Sequence, residues 1–154
     1  MRFVCPLIVV KDIAVSTRFY RDVLGQKVKF DFGENVSFEG DFAIHLETHY
    51  ANLLKMAPSE IVHGAHAGEL YFETNDIDDD YNRLVQEHVT FIHPVIEQPW
   101  KQRVCRFYDP DRHIIELGET MESVILRLER NGLSVEQIHE ATLMPLEFIQ
   151  SALR

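Results

Sequence analysis

The strongest constraint on this chain is that it repeats itself. Val10-Lys11-Asp12-Ile13 matches Thr74-Asn75-Asp76-Ile77 at a spacing of 64 residues. In both copies a run fit for a strand leads into an aspartate placed as a helix N-cap, and apolar residues at helical spacing follow. In the first copy, residues 3–10 predict a strand, with Pro6 marking an edge or bulge. Residues 13–24 predict a helix through Val15, Phe19, Val23 and Leu24, stopped by Gly25. Strands over 27–32, 36–39 and 42–47 follow, parted by Gly33-Glu34-Asn35 and Gly40-Asp41 turns. The second copy gives a strand over 69–74, a helix over 77–88, then strands over 90–93, 103–108 and 113–117. Phe38-Glu39-Gly40-Asp41 corresponds to Phe107-Tyr108-Asp109-Pro110, so the 42–47 strand is the counterpart of 113–117. Chance rarely reproduces order, caps and turn together over a period of roughly 65 residues. The expected fold class is α+β: βαβββ modules over residues 1–56 (ending in a short helix, 49–56) and 69–119, a Gly/Pro-bearing linker over 57–68, and a helical extension over 120–154.

Composition narrows the function classes. The 154 residues are 45% hydrophobic and 26% charged, which is ordinary for a soluble globular protein. No apolar run approaches the roughly 18–20 residues of a membrane span, and the N-terminus lacks the design of a signal peptide. The two cysteines, Cys5 and Cys105, give no disulfide framework, so a cytoplasmic location is expected. A net charge of −10 argues against general nucleic-acid or anionic-membrane binding.

The chemistry is concentrated between Arg103 and Glu119, a strand, a turn set by Pro110 and flanked by Asp109 and Asp111, and a second strand. That second strand is almost wholly apolar yet carries Glu116. A carboxylate among β-branched residues is costly unless a cation, a metal or hydrogen bonds satisfy it. Glu116 is therefore the first site candidate, and a water-facing edge-strand glutamate is the plain alternative.

The two βαβββ halves, the opening Asp12-Ile13, Phe19-Tyr20 and Val23-Leu24-Gly25, and the closing Tyr-Asp-Pro-Asp-Arg-His-Ile-Ile-Glu-Leu resemble the vicinal-oxygen-chelate superfamily. That superfamily includes glyoxalase I, bleomycin-resistance and fosfomycin-resistance proteins, extradiol dioxygenases and methylmalonyl-CoA epimerase. The resemblance covers residues 1–119 and implies a glyoxalase/bleomycin-resistance/dioxygenase-type pair of half-barrels, since each half of that fold curls its strands. It also implies a site fed by the first and last strands of each half, which carries onto Cys5, His45 or Glu47, Glu69 and Glu116. A histidine or glutamine is usual at the first position and a histidine at the third, so Cys5 and Glu69 depart from the pattern; Cys5 also reads as a small buried hydrophobe.

Strand parity supports part of this set independently. On strands, His45 and Glu47 share one face, and so do Glu69, Tyr71 and Glu73, with Leu70 and Phe72 on the other. One imidazole and two carboxylates (His45, Glu69, Glu116) suit a divalent zinc, nickel, manganese, iron or cobalt ion with open positions. Glu47 or Cys5 is then a fourth ligand or base, and Glu116 or Glu47 the catalytic carboxylate. Trp100, in the loop before the key hairpin, is a candidate to stack on a ligand or to act as a packing lid. Tyr71, Glu73 and Arg103 complete the candidate substrate contacts. Cys105 reads as a buried strand cysteine, and His63 and His66 as linker histidines with ligand-like spacing.

In the extension, Met121, Val124, Ile125 and Leu128 predict an amphipathic helix ending at Asn131-Gly132. Ser134 with Gln137 predicts a capping box for a second helix, and Pro145 opens a third. The last two look like a short helix-turn-helix. Six glutamates against three arginines over 119–154 favour a clip that docks on the barrel or mediates dimerisation over a DNA reader. Three readings follow: a metal-dependent lyase or isomerase resembling the glyoxalase I branch, acting on a small oxygenated substrate; a metal-free protein resembling the bleomycin-resistance group that binds a small cationic molecule; and a ligand-sensing regulator using the tail. A homodimer is expected from the resemblance.

Overall fold

The computed structural model describes all residues, 1–154. The chain divides into two compact units, Met1–Gly68 with Tyr108–Ile114, and Glu69–Phe107 with Ile115–Arg154.

The first unit contains strand β1 (Leu7–Val10), helix α1 (Ile13–Arg18) with a π-helical turn over Phe19–Val23, strands β2 (Val28–Asp31), β3 (Asn35–Phe38) and β4 (Ala43–Leu46), and helix α2 (Glu47–Leu54). Its sheet runs β1-β4-β3-β2. β1 pairs parallel with β4, and the β2–β3 and β3–β4 pairs are antiparallel. Asp12 caps α1 as expected, its carboxylate accepting from the backbone N–H groups of Ala14 and Val15. At Phe19 the expected single helix widens into a π turn, with Leu24 N–H bonded to Phe19 O. The turn carries Tyr20 into the core, fully buried against Phe38 and Phe42, whose rings stack at 4.6 Å. The Tyr20 hydroxyl donates to Asp109 Oδ2 at 2.8 Å. Burial first, and Asp109 second, pushes the Tyr20 hydroxyl well above its usual pKa. Asp109 Oδ1 accepts from the Asp111 and His113 N–H groups, so the Asp-Pro-Asp turn read in the sequence is built on one buried carboxylate.

The second unit contains β5 (Glu69–Thr74), α3 (Ile77–Gln86), β6 (Phe91–Glu97), β7 (Arg103–Tyr108), β8 (Ile114–Glu119), α4 (Met121–Arg130), α5 (Val135–Thr142) and α6 (Leu146–Ala152), with the last residue of β7 and the first of β8 assigned to the first unit. The sheet order, β5-β8-β7-β6, repeats that of the first sheet strand for strand. Asp76 caps α3, and Ser134 with Gln137 forms the expected capping box on α5. The three C-terminal helices enclose their own apolar cluster of Val124, Ile125, Leu128, Ile138, Met144 and Ile149. α4 is tied to its unit by Arg127, which donates to Glu119 Oε2 at 2.7 Å and to the Lys101 carbonyl.

Two elements differ from expectation in ways that matter for the site. β6 runs on through Pro94 to Glu97, beyond the expected end at His93; Pro94 lies on an edge strand, where its missing N–H costs no ladder bond. β4 ends at Leu46, and Glu47 opens α2 rather than closing the strand. A carboxylate in a first helical turn is favoured by the exposed N–H groups there.

Candidate functional site

Period-two alternation sorts the residues of β5: Glu69, Tyr71 and Glu73 lie on the exposed face, and Leu70, Phe72 and Thr74 are half-buried. The face of Glu69 continues across the second sheet as a row with one polar side chain from each strand, the exposed Glu69 (β5), the half-buried His93 (β6) and Arg106 (β7), and the buried Glu116 (β8). Arg106 links the row. Its Nε donates to Glu69 Oε2 at 2.8 Å, with Nη2 at 3.5 Å from the other oxygen. Nη2 also forms an ion pair with Glu116 Oε2. That oxygen is buried and accepts no hydrogen bond, so the guanidinium is its counter-charge. His93 lies opposite Arg106 in the β6–β7 register, and its Nε2 is 3.4 Å from Nη1. The Pro94 carbonyl, 2.8 Å from His93 Nδ1, only accepts, which puts the ring proton on Nδ1 and a lone pair on Nε2.

A second polar group sits beside it. The Tyr71 hydroxyl donates to Glu73 Oε1 at 2.9 Å and accepts from Gln102 Nε2 at 2.7 Å. Gln102 Nε2 also donates to the Glu119 carbonyl, and Gln102 Oε1 accepts from Trp100 Nε1 at 2.9 Å. Burial raises the Tyr71 hydroxyl pKa, Glu73 adds to the rise, and the bond from Gln102 opposes it. Gly118 makes this relay possible: a Cβ there would lie 2.9 Å from Gln102 Nε2 and 3.2 Å from Tyr71 Cε2. Tyr71 and Trp100 remain 47% and 42% exposed, so each ring is held at its polar end with a face open to solvent. Glu73 has Tyr71 as its hydrogen-bond donor and no basic partner.

Arg103 has its donors engaged. It bonds Glu119 through Nε and Nη2 and Asp78 through Nη1, and it lines a polar cleft of about 210 Å³ with Asp76, Ser123, Arg127 and Arg130. Burial would raise the Glu119 pKa, but the hydrogen bonds from Arg127 and Arg103 hold it below the usual carboxylate value. Cys105 is fully buried and, through burial first and Asp80 second, its thiol is pushed up to about 12.

The first unit handles its candidates separately. His45 on β4 is buried, with Nδ1 at 3.2 Å from Asn35 Nδ2 and Nε2 at 2.8 Å from His49 Nδ1. Burial lowers its pKa, His49 lowers it further and Glu34 opposes both, so the ring favours the neutral form. Glu47 is paired with His63 Nε2 at 2.5 Å, away from the partners of His45, because it begins a helix and the two residues no longer alternate along one strand. Cys5 is a half-buried free thiol ahead of β1. His66 bonds the Tyr108 hydroxyl, and His113 bonds Asp109.

The residues do not fit a divalent metal as they stand. No group of three or more His, Cys, Asp or Glu side chains is gathered to hold one, and the Glu69 and Glu116 carboxylates share Arg106. The sequence reading missed Arg106, His93, Gln102 and Gly118. A signal existed for Arg106, a cation set between Cys105 and Phe107 in the interior of β7; the other three carry none.

A family described as glyoxalase-like domain matches residues 3–122. A crystal structure of a protein of unknown function from Agrobacterium tumefaciens is 44% identical, with 78% of this chain and 94% of that one covered and a TM-score of 0.70. A glyoxalase/bleomycin resistance protein/dioxygenase from Nocardioides is 20% identical over 77% of this chain and 83% of its own, with a TM-score of 0.62. A lactoylglutathione lyase from Agrobacterium tumefaciens is 21% identical over 77% and 94%, with a TM-score of 0.59. The latter two similarities carry the fold. A comparison with curated proteins gives no match.

Proposed function

The chain belongs to the glyoxalase-like family, and from that premise we propose that it binds a small, cationic, ring-bearing organic molecule on the polar face of its second sheet, without a metal ion. The observation that carries this reading is the pair of open rings, Tyr71 and Trp100, held by one glutamine beside the unpaired carboxylate of Glu73. Aromatic faces attract cations by about 0.5–2 kcal/mol each, more when water is excluded. Across the face, Glu69, Glu73 and Glu116 outweigh the one guanidinium of Arg106, so the local field favours a positive ligand. Tyr71, Glu73 and Trp100 are the ligand contacts in this reading, and Gln102 is the residue that positions both rings.

The lyase or isomerase alternative would use Glu116 or Glu47 as a base and a metal held by His45, Glu69, Glu116 and Cys5. The ion pair on Glu116 and the His63 bond on Glu47 weigh against it. Trp100 is the single tryptophan, so its emission reports on the face directly. A panel of aromatic amines and quaternary ammonium compounds is expected to include ligands that quench Trp100 saturably and raise Tm, with Glu73→Gln weakening them. If no cationic compound binds while neutral or anionic ones do, the reading is wrong.

A further inference from the structure

We propose that the first unit holds a second ligand site, a cavity between α1 and the β2–β3 hairpin that takes a small aromatic carboxylate. The cavity measures about 470 Å³, inside the range of about 300–1,000 Å³ typical of small-molecule sites. The inference goes beyond the cationic-ligand reading and does not rest on it.

The cavity follows from how one helix lies on four strands. Strands are spaced about 4.8 Å and a helix is about 10 Å across, so a single helix covers about two strands. α1 packs on β3 and β4, and every residue of β2, the strand beyond them, stays exposed. The second module closes the matching gap with rings. Tyr81 of α3 lies 4.8 Å from Phe91 of the edge strand β6, and Phe91 lies 5.8 Å from Phe107. At the repeat spacing of 64 residues, Tyr81 falls on Thr17. Thr17 lines the cavity, so the first module has a short hydroxyl where the second has a phenol, and the space of a ring is left open.

The lining selects what such a ring carries. Ile13, Ala14 and Val36 give the cavity an apolar wall. Arg18 also lines it and makes no hydrogen bond or ion pair. Arg21 places Nε and Nη2 on Asp22, which leaves Nη1. Asp31, whose Oδ1 accepts from the Gly33 N–H, is the one carboxylate of the lining. A single unpaired guanidinium fits a single carboxylate in forked geometry, and Asp31 disfavours a second negative charge. A monoanion with a flat apolar body therefore answers the wall and the free cation together.

The test is calorimetric titration of 2-naphthoate and of its neutral analogue 2-naphthamide, each alone, into the full chain and into Arg18→Gln and Thr17→Tyr. Circular dichroism checks that each variant is folded. The wild type is expected to take the carboxylate at a saturable site, at least about tenfold tighter than the amide. Arg18→Gln is expected to lose about that factor, the scale of a hydrogen bond to a charged group. Thr17→Tyr gives the first module the ring of the second and is expected to abolish binding. A wild type that takes no naphthoate, or takes it no tighter than the amide, overturns the proposal. So does an affinity unchanged in Arg18→Gln, which decides the matter even where Thr17→Tyr does not fold, and so does a folded Thr17→Tyr that binds as the wild type does. The response of Trp100 to cationic compounds is a separate measurement, so either reading can fail alone.

Discussion

The two modules repeat the fold and diverge in chemistry at matching points. In the first sheet the third and fourth strands in chain order set Asn35 opposite His45, and an amide meets an imidazole at 3.2 Å. In the second sheet the matching strands bring Arg106 to Glu116, and a guanidinium meets a carboxylate. The first pair is neutral, and burial further favours the uncharged ring. The second is ionic and belongs to a row that crosses its sheet. The strand position held by His45 in the first sheet and by Glu116 in the second thus carries either hydrogen bonding or full charge, according to the side chain that reaches it. A repeat copies backbone geometry; each polar pair has to be satisfied locally.

The ionic character of the second unit extends to Glu119, so the largest effect is expected there. Glu119→Ala leaves Arg103 and Arg127 facing one another without the buried carboxylate between them. Removing one partner of a buried charge cluster costs about 3–5 kcal/mol, and urea unfolding should show that loss with α4 loosened in hydrogen exchange. A double-mutant cycle comes next. Arg106 with Glu116 should couple by about 1.5–3 kcal/mol as charged partners, and Asn35 with His45 by about 0.5–1.5 kcal/mol as neutral ones. Equal couplings would erase the contrast between the modules.

Gly118→Ala is expected to cost about 1–3 kcal/mol by overpacking, and to shift Trp100 emission as the Tyr71–Gln102–Trp100 relay is pushed apart. The Asn35→Ala counterpart should leave that emission unchanged. The smallest effect concerns pH. The folded pKa of His45 lies below the ordinary histidine value of 6.5, so the unfolded chain binds more protons just below that pH. Stability should then fall as pH drops from 6.5 toward the folded pKa, and His45→Gln should flatten that part of the profile. The Glu116→Gln profile should retain the slope.

The architecture was legible because its signals are local. Asp12, Asp76 and the Ser134/Gln137 pair each cap a helix within a few residues of themselves, and order, caps and turn recur together. Strand ends were less so. Phe3 and Val4 suit a strand yet lie exposed ahead of β1, since β-branched and aromatic composition does not record whether a partner strand is present. Parity found the face bearing Glu69, Tyr71 and Glu73, and the chemistry of a carboxylate among apolar residues found Glu116. What answers that carboxylate was hidden, because Arg106 reaches Glu69 across 37 residues of sequence and spacing alone does not pair strands. Glu47 illustrates the opposite failure: a period-two argument does not survive the start of a helix one residue past the strand.

The measurement that bears most directly on the central claim is Trp100 fluorescence titration with an aromatic quaternary ammonium ligand, run in chelator and again with added Zn²⁺ or Ni²⁺. The account predicts one saturable site of the same affinity in all conditions, weakened when Glu73 or Tyr71 is replaced. Binding that vanishes in chelator and returns with the ion would contradict it and restore the metal-dependent reading.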